Sequence, residues 1–215
     1  GNTATGGNTA NTVFTTSTKF SSNGFTKTGY TFASWNTSKD GSGTTINPND
    51  SYSTHTDLVV YAQWSPISYT ITYDGNGATG STSASTFTYP GSTKFASNGF
   101  SVPSGYTFGG WTKTQNDSTT LITTYSDSAS ISVYALWNIN SFTLSYSAGS
   151  GGTIAGTATQ SVNYGSSGLG VTATPSTGYH FKRWSDNLLT ASRTDTNITQ
   201  NLTLSATFEK DTFTV

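Results

Sequence analysis

The chain has 215 residues, 9 Lys and Arg against 10 Asp and Glu, a formal net charge of −1 and only 9% charged side chains. With no basic excess to neutralise phosphates, the balance argues against general nucleic-acid binding and against docking on an anionic membrane. Zero cysteine excludes disulfides and thiolate metal sites, and no stretch approaches the ~20 apolar residues of a spanning helix.

The first ten residues, GNTATGGNTA, have neither the basic nor the apolar region of a signal peptide, so any targeting segment is expected outside this sequence. Ser and Thr make up about a third of the chain, and Gly and Asn much of the remaining polar complement. Thr, Tyr, Phe and Val suit a pleated surface whereas Gly, Ser and Asn weaken helix interiors, so strands and turns are expected and little helix. The 5 Trp, 12 Tyr and 12 Phe supply the apolar surface for packed cores.

In chain order, the Asn23-Gly24 turn leads to residues 29–35 (GYTFASW) and then 58–64 (LVVYAQW). After the short linker Ser65-Pro66-Ile67-Ser68 come 69–73 (YTITY), the turns at Asn76-Gly77, Asn98-Gly99 and Pro103, then 105–111 (GYTFGGW) and 131–137 (ISVYALW). The series recurs as 142–146 (FTLSY), 178–184 (GYHFKRW) and 202–208 (LTLSATF), and closes on Phe213-Thr214-Val215. Alternate positions of the closing segments read Leu/Val/Ala/Trp, Ile/Val/Ala/Trp and Leu/Leu/Ala/Phe, the period of a half-buried strand. The closing aromatics Trp64, Trp137 and Phe208 lie about 70 residues apart, an internal repeat that overrides the length-based estimate of one or two domains. In the GYxFxxW blocks Tyr and Phe share a parity that Trp does not. Either the tryptophan ring crosses to the other side of the sheet, or a β-bulge at the intervening pair, favoured by Gly109-Gly110, returns it to their face.

A strand ending in YDGNG (73–77), a GYxFxGW block and a closing YAxW strand resemble the Listeria–Bacteroides repeat, the B-repeat of internalin-type surface proteins. Residues 66–137 match best, and residues 1–64 match from the glycine turn onward. The third segment looks like the divergent version of the repeat, with Phe208 for the closing tryptophan and Lys182-Arg183 where the second has Gly109-Gly110. The resemblance implies small β-grasp-like domains strung in tandem on bacterial or archaeal surface proteins as stalk or adhesive modules. The expected fold is therefore mainly β, a tandem array of three small β-grasp-like repeat domains over residues 1–65, 66–138 and 139–210, with the strand order of the third left open.

Little in the sequence points to catalysis. His55 and His180 fall in different repeats, no GxSxG elbow exists, and no Ser-His-Asp set is implied, so no enzyme, cofactor or metal site is expected. Asp40-Gly41-Ser42-Gly43 and Asn47-Pro48-Asn49-Asp50 lack the acidic spacing of a calcium loop and read as turns, while Asp186 and Asp195 read as turn or surface ion-pair residues. Trp35, Trp111 and Trp184 recur at one place per repeat, as core residues do; with Trp64, Trp137 and Phe208 they are the expected structural core. The non-recurrent rings Tyr52, Tyr89 and Tyr125 keep a carbohydrate-platform alternative open. The five Asn-x-Ser/Thr sequences, at Asn36, Asn49, Asn116, Asn197 and Asn201, are no more than composition predicts.

The expected role is a structural, extracellular cell-surface tandem-repeat protein, a stalk or fibre subunit whose partner is a neighbouring repeat or copy. The alternative is an adhesin module binding glycan or a host or cell-surface protein. Residues 1–6 align with 75–80, so the first repeat begins after its opening strand, while Phe213-Thr214-Val215 corresponds to Tyr69-Thr70-Ile71 and starts an opening strand. Asp211, Thr212, Phe213, Thr214 and Val215 are therefore the expected assembly strand, inserted into the first repeat of the next copy or continuing into it within a longer array.

Overall fold

The computed structural model describes residues 6–7, 18–53 and 56–212, and among these every regular element is a β-strand. The chain packs as two compact units, residues 1–100 with 110–135 and residues 101–109 with 136–215. The architecture is mainly β.

In the first unit the strand Tyr30–Asn36 lies between Thr45–Ile46 and Tyr61–Pro66, antiparallel to both. Its register runs Phe32↔Trp64 and then Ser34↔Gln63, leaving Ala33 as the extra residue of a bulge. That one-residue insertion switches parity, so Trp35 comes onto the face of Phe32 with ring centroids 5.0 Å apart. Trp35 is buried with Phe20 and Ile46, and its indole N–H donates to the Ser21 carbonyl at 3.2 Å. Trp111 repeats the arrangement, donating to the Ala96 carbonyl at 2.9 Å and packing on Tyr73 at 4.7 Å. Asn23 and Asn98 each accept from and donate to the backbone two residues on, at Phe25 and Phe100, so a side chain substitutes for a neighbouring strand.

The strand Ser68–Asp74 is the hub of the second repeat. It pairs antiparallel with Ser85–Thr88 and parallel with Ile131–Ile139, in the register Ile131↔Ile71 through Tyr134↔Asp74. The YDGNG turn that follows is locked by Asn76, whose backbone N–H donates to Asp74 Oδ1 and whose side chain donates to the Ala135 carbonyl.

In the second unit a four-stranded sheet has the order Thr159–Asn163, Ser141–Ala148, Leu202–Lys210, Tyr179–Trp184, with the central pair parallel. A second sheet places Val171–Pro175 between Gly152–Ala155 and Ser192–Arg193. Leu144, Tyr146, Trp184, Leu204 and Phe208 of the first sheet pack with Val171 and Ala173 of the second in one buried cluster. The bulge recurs at Lys182, between Phe181↔Phe208 and Arg183↔Thr207. The third repeat therefore keeps the device that places its tryptophan, although a cation stands where the second repeat has glycine.

Of the six rings expected in cores, Trp35, Trp111, Trp184 and Phe208 are buried, but Trp64 and Trp137 are only half-buried. Each stands near the C-terminal end of its strand and meets one phenylalanine edge-on, Phe32 at 6.0 Å or Phe108 at 5.6 Å, so part of the indole stays outside.

Candidate functional site

The closing strands differ between repeats in a way that defines an edge. Ile131–Ile139 and Leu202–Lys210 are nine residues long, whereas Tyr61–Pro66 has six. The shortfall is Leu58, Val59 and Val60, which correspond to Ile131, Ser132 and Val133, three of the four residues that pair with the parallel opening strand in the second repeat. Among the described residues, no strand lies on the outer side of Tyr61–Pro66. Val133 and Ala135 are 0% exposed, while their counterparts Val60 and Ala62 are half-buried and Val59 is 67% exposed. Among the described residues the outer side of Tyr61–Pro66 thus has no neighbouring strand and its apolar residues are less enclosed than their counterparts, the arrangement onto which another strand can add.

The expected donor follows Leu202–Lys210. The Asp211 N–H donates to the Gly178 carbonyl at 2.9 Å and its carboxylate meets His180 Nδ1 at 2.9 Å, while Phe213, Thr214 and Val215 lie outside the described residues.

Successive repeats meet through a recurring joint that the sequence reading missed. Gly29, at φ +77°, accepts the Ile67 N–H at 2.9 Å, the Ile67 carbonyl accepts the Tyr89 N–H at 3.0 Å, and the Tyr89 ring covers the glycine so closely that any Cβ there would overlap it. Gly105, at φ +80°, accepts the Asn140 N–H at 2.8 Å, the Asn140 carbonyl accepts the Tyr164 N–H at 2.8 Å, and the Tyr164 ring lies over Gly105 in the same way. A glycine serves here for two reasons: the left-handed backbone and the ring seated on its open face. The signal was the Gly-Tyr pair that opens each GYxFxxW block, read only as a strand start.

The remaining candidates are structural. Arg193, with its side chain 5% exposed, donates to Asp195 from Nε at 2.9 Å and Nη2 at 2.6 Å, and forms a fork with Asp186 at 3.1 and 3.0 Å. Its guanidinium stands 5.0 Å from the Trp184 ring, and the Tyr146 hydroxyl donates to Asp195 at 2.6 Å. Burial works against the charge of Arg193, but the bonds to the two carboxylates outweigh it and hold the guanidinium protonated; burial and Asp195 together push the Tyr146 phenol up. Asp195 is thus an enclosed partner of a buried arginine rather than a surface ion-pair residue. His180 is exposed, beside Asp211 and Glu209, and Lys182 pairs with Glu209; His55 lies outside the described residues. Asp40 and Asp50 each close a local turn through their own loop's N–H groups. Among the described residues no group of three or more His, Cys, Asp or Glu could hold a metal ion.

The carbohydrate-platform rings are largely engaged elsewhere. Tyr125 is buried against Phe87, correcting its expected exposure, and Tyr89 is committed to the Gly29 joint. Tyr52 is half-buried, edge-on to Phe20, with its hydroxyl donating to the Thr56 carbonyl. Asn36, the first Asn-x-Ser/Thr position, is 1% exposed and holds the following loop through Ser38, Gly41 and Gly43, so it is closed to modification.

Residues 2–63 and 69–136 match the model of the Listeria-Bacteroides repeat domain, two copies that together cover more than half of the chain. The chain belongs to the Listeria-Bacteroides repeat family. Residues 142–212 match the divergent InlB B-repeat domain, a third repeat in tandem with the two Listeria-Bacteroides repeats. The chain is also similar to a protein of Evansella cellulosilytica that carries the name Gly-rich membrane protein, 29% identical over 203 residues. That match takes in 88% of this chain and 23% of the relative's length. Listeria-Bacteroides and divergent B-repeats are structural modules of surface proteins, and among the described residues no helix is long and apolar enough to cross a membrane.

Proposed function

We propose that this chain is a non-enzymatic, extracellular cell-surface fibre or stalk subunit that assembles head to tail by β-strand complementation. Residues 211–215 of one copy begin an opening strand for the first repeat of the next, entering the parallel register at Leu58, which Val215 meets as Ile71 meets Ile131. The observation that carries this reading is the burial contrast between Val60 and Ala62 and their enclosed counterparts Val133 and Ala135. Phe213, Thr214 and Val215 match Tyr69, Thr70 and Ile71 in type and order, so the donor has the alternation the slot needs. The adhesin alternative has less support, because two of the three rings it would use are committed to packing.

The test is the assembly state of the full chain with and without residues 211–215, by analytical ultracentrifugation and electron microscopy. The full chain is expected to form linear fibres and the truncated chain to remain monomeric. Fibres that persist after the deletion would refute strand donation.

A further inference from the structure

The four-stranded sheet of the second unit ends on two strands that are finished differently. One of them, Tyr179–Trp184, carries His180, Lys182 and Arg183, the kind of charged guard that keeps a sheet edge from pairing with another chain. The other, Thr159–Asn163, has no such guard, since residues 128–181 contain no Asp, Glu, Lys or Arg. The corresponding strand of the second repeat, Ser85–Thr88, is shorter by one residue and runs into Pro90, a residue that cannot donate to a ladder.

The bonds at either end of Thr159–Asn163 fix which of its backbone groups are spare. The Tyr146 N–H donates to the Ala158 carbonyl at 2.7 Å and the Tyr164 N–H to the Asn140 carbonyl at 2.8 Å, so residues 158 and 164 turn their backbone groups toward Ser141–Ala148. By alternation Thr159, Ser161 and Asn163 turn theirs to the outer side. The Asn163 carbonyl accepts the Ser166 N–H at 3.0 Å; among the described residues the N–H and carbonyl of Thr159 and of Ser161, and the N–H of Asn163, have no hydrogen-bond partner. An open cleft of ≈ 520 Å³ runs between this strand and residues 166–169. Its far wall is fixed by Gln160, whose side chain donates to the Leu169 carbonyl at 3.0 Å and accepts the Leu169 N–H at 2.6 Å. Strand, loop and cleft walls all lie within the unbroken described segment 56–212.

We infer that Thr159–Asn163 is a second assembly surface, and that its partner is the same strand of a second copy, paired antiparallel about a two-fold axis at Ser161. The segment is self-complementary in this register. Ser161 meets Ser161 and exchanges both backbone bonds, while Thr159 meets Asn163 and accepts its N–H. The exposed side chains brought together are Thr, Ser and Asn, which meet without charge repulsion, and Gln160 and Val162 stay on the buried face of a sheet continued from one copy into the other. A strand of five residues buries far less than the ~1,000 Å² that a lasting pair needs, so free chains separate; a fibre presents the edge once per copy and sums it. The surface therefore joins fibres side by side. Its strength rests on the head-to-tail reading, but its geometry belongs to the single chain.

The chain has no cysteine, so Ser161→Cys reports the contact without background. In the paired register the two Cα atoms stand about 5.5 Å apart, within the span of a disulfide. Mild oxidation of the full chain is expected to give cross-linked dimer at about ten times the yield from Ser118→Cys, an exposed loop position. In electron micrographs the unaltered chain is expected to form bundled fibres, whereas Ser161→Lys and Ser161→Glu each give single fibres because like charges then face each other across the axis; mixing fibres of the two variants should restore bundles. A cross-linking yield equal to the Ser118→Cys control, single fibres from the unaltered chain, or bundles that persist in Ser161→Lys overturns the second surface. If those fibres still require residues 211–215, that failure leaves strand complementation standing. If the full chain forms no fibres, strand complementation falls, and the Ser161→Cys yield at high protein concentration decides the edge pairing by itself.

Discussion

Arg193→Met removes the one cation shared by Asp186 and Asp195 while keeping a stem of similar reach. Asp195 is 17% exposed at its side chain and would keep only the Tyr146 hydroxyl at 2.6 Å, and breaking such an enclosed pair costs about 3–5 kcal/mol. Asp186 is 42% exposed, so solvent screening limits its share to about 1 kcal/mol or less. Loss of the cation from the Trp184 face adds about 0.5–1 kcal/mol, offset by the thioether that takes its place. The net expectation is a loss of about 3 kcal/mol, a large fraction of the ~5–15 kcal/mol that holds a domain folded. Urea-dependent hydrogen exchange in Ser141–Ala148 and Leu202–Lys210 measures it locally, free of signal from the other tryptophans. The double variant Arg193→Met/Asp195→Asn removes the stranded charge and should recover at least about 1 kcal/mol relative to additivity. A single-variant loss under about 1 kcal/mol, or strict additivity in the double, would refute the assignment of a buried ionic centre.

Acid should weaken the same unit. Burial opposes ionisation of Asp195, but the Arg193 and Tyr146 bonds outweigh it and hold the carboxyl below 3.8; the Arg193 fork does the same to Asp186. A depressed folded-state pKa means stability that is complete above about pH 4 and lost as pH falls through the lower folded values, so urea midpoints should hold from pH 7 to about 5 and drop below about 4, with Asp195→Asn reducing the drop. Trp111→Ala, which leaves a cavity beside Tyr73 and Phe100, should cost about 3–5 kcal/mol in denaturant titrations. Gly29→Ala and Gly178→Ala share left-handed backbones and so a penalty of about 1–2 kcal/mol, but among the described residues only Gly29 of the two has a ring on it; thermal melts should show Gly29→Ala as worse by about another 1–3 kcal/mol.

The strands and their repetition were legible because both depend on local alternation: 131–137 reads as a half-buried strand in any context, and the parity break in GYxFxxW announced the bulges seen at Ala33 and Lys182. What depended on a distant partner was not legible. Leu58, Val59 and Val60 have the same alternation as 131–133 yet leave the strand, and among the described residues no strand lies beside them. Tyr125 looked like an isolated ring until Thr124–Tyr125 paired with Thr93–Lys94 and brought it under Phe87. Asp195 looked like a surface residue because Tyr146, 49 positions away, gives no sign in sequence of closing over it. The Gly-Tyr joints were not legible either, since only the folded chain brings Tyr89 over Gly29 and Tyr164 over Gly105.

The parallel pairing of opening and closing strands also decides how a repeat bears tension. Residues 71–74 run alongside 131–134, and 144–148 alongside 202–206, so the chain enters and leaves each pair at opposite ends. A pull transmitted along the chain slides the two strands past one another and loads every rung of the ladder together; in a hairpin, whose ends lie side by side, the rungs would open in succession. Yielding then requires the whole set to fail at once, which places the barrier on the unfolding rate that governs survival under load. Under the complementation proposed above, the same parallel register joins one copy to the next, and the non-covalent link is strained in the same sliding mode as the covalent repeats on either side of it.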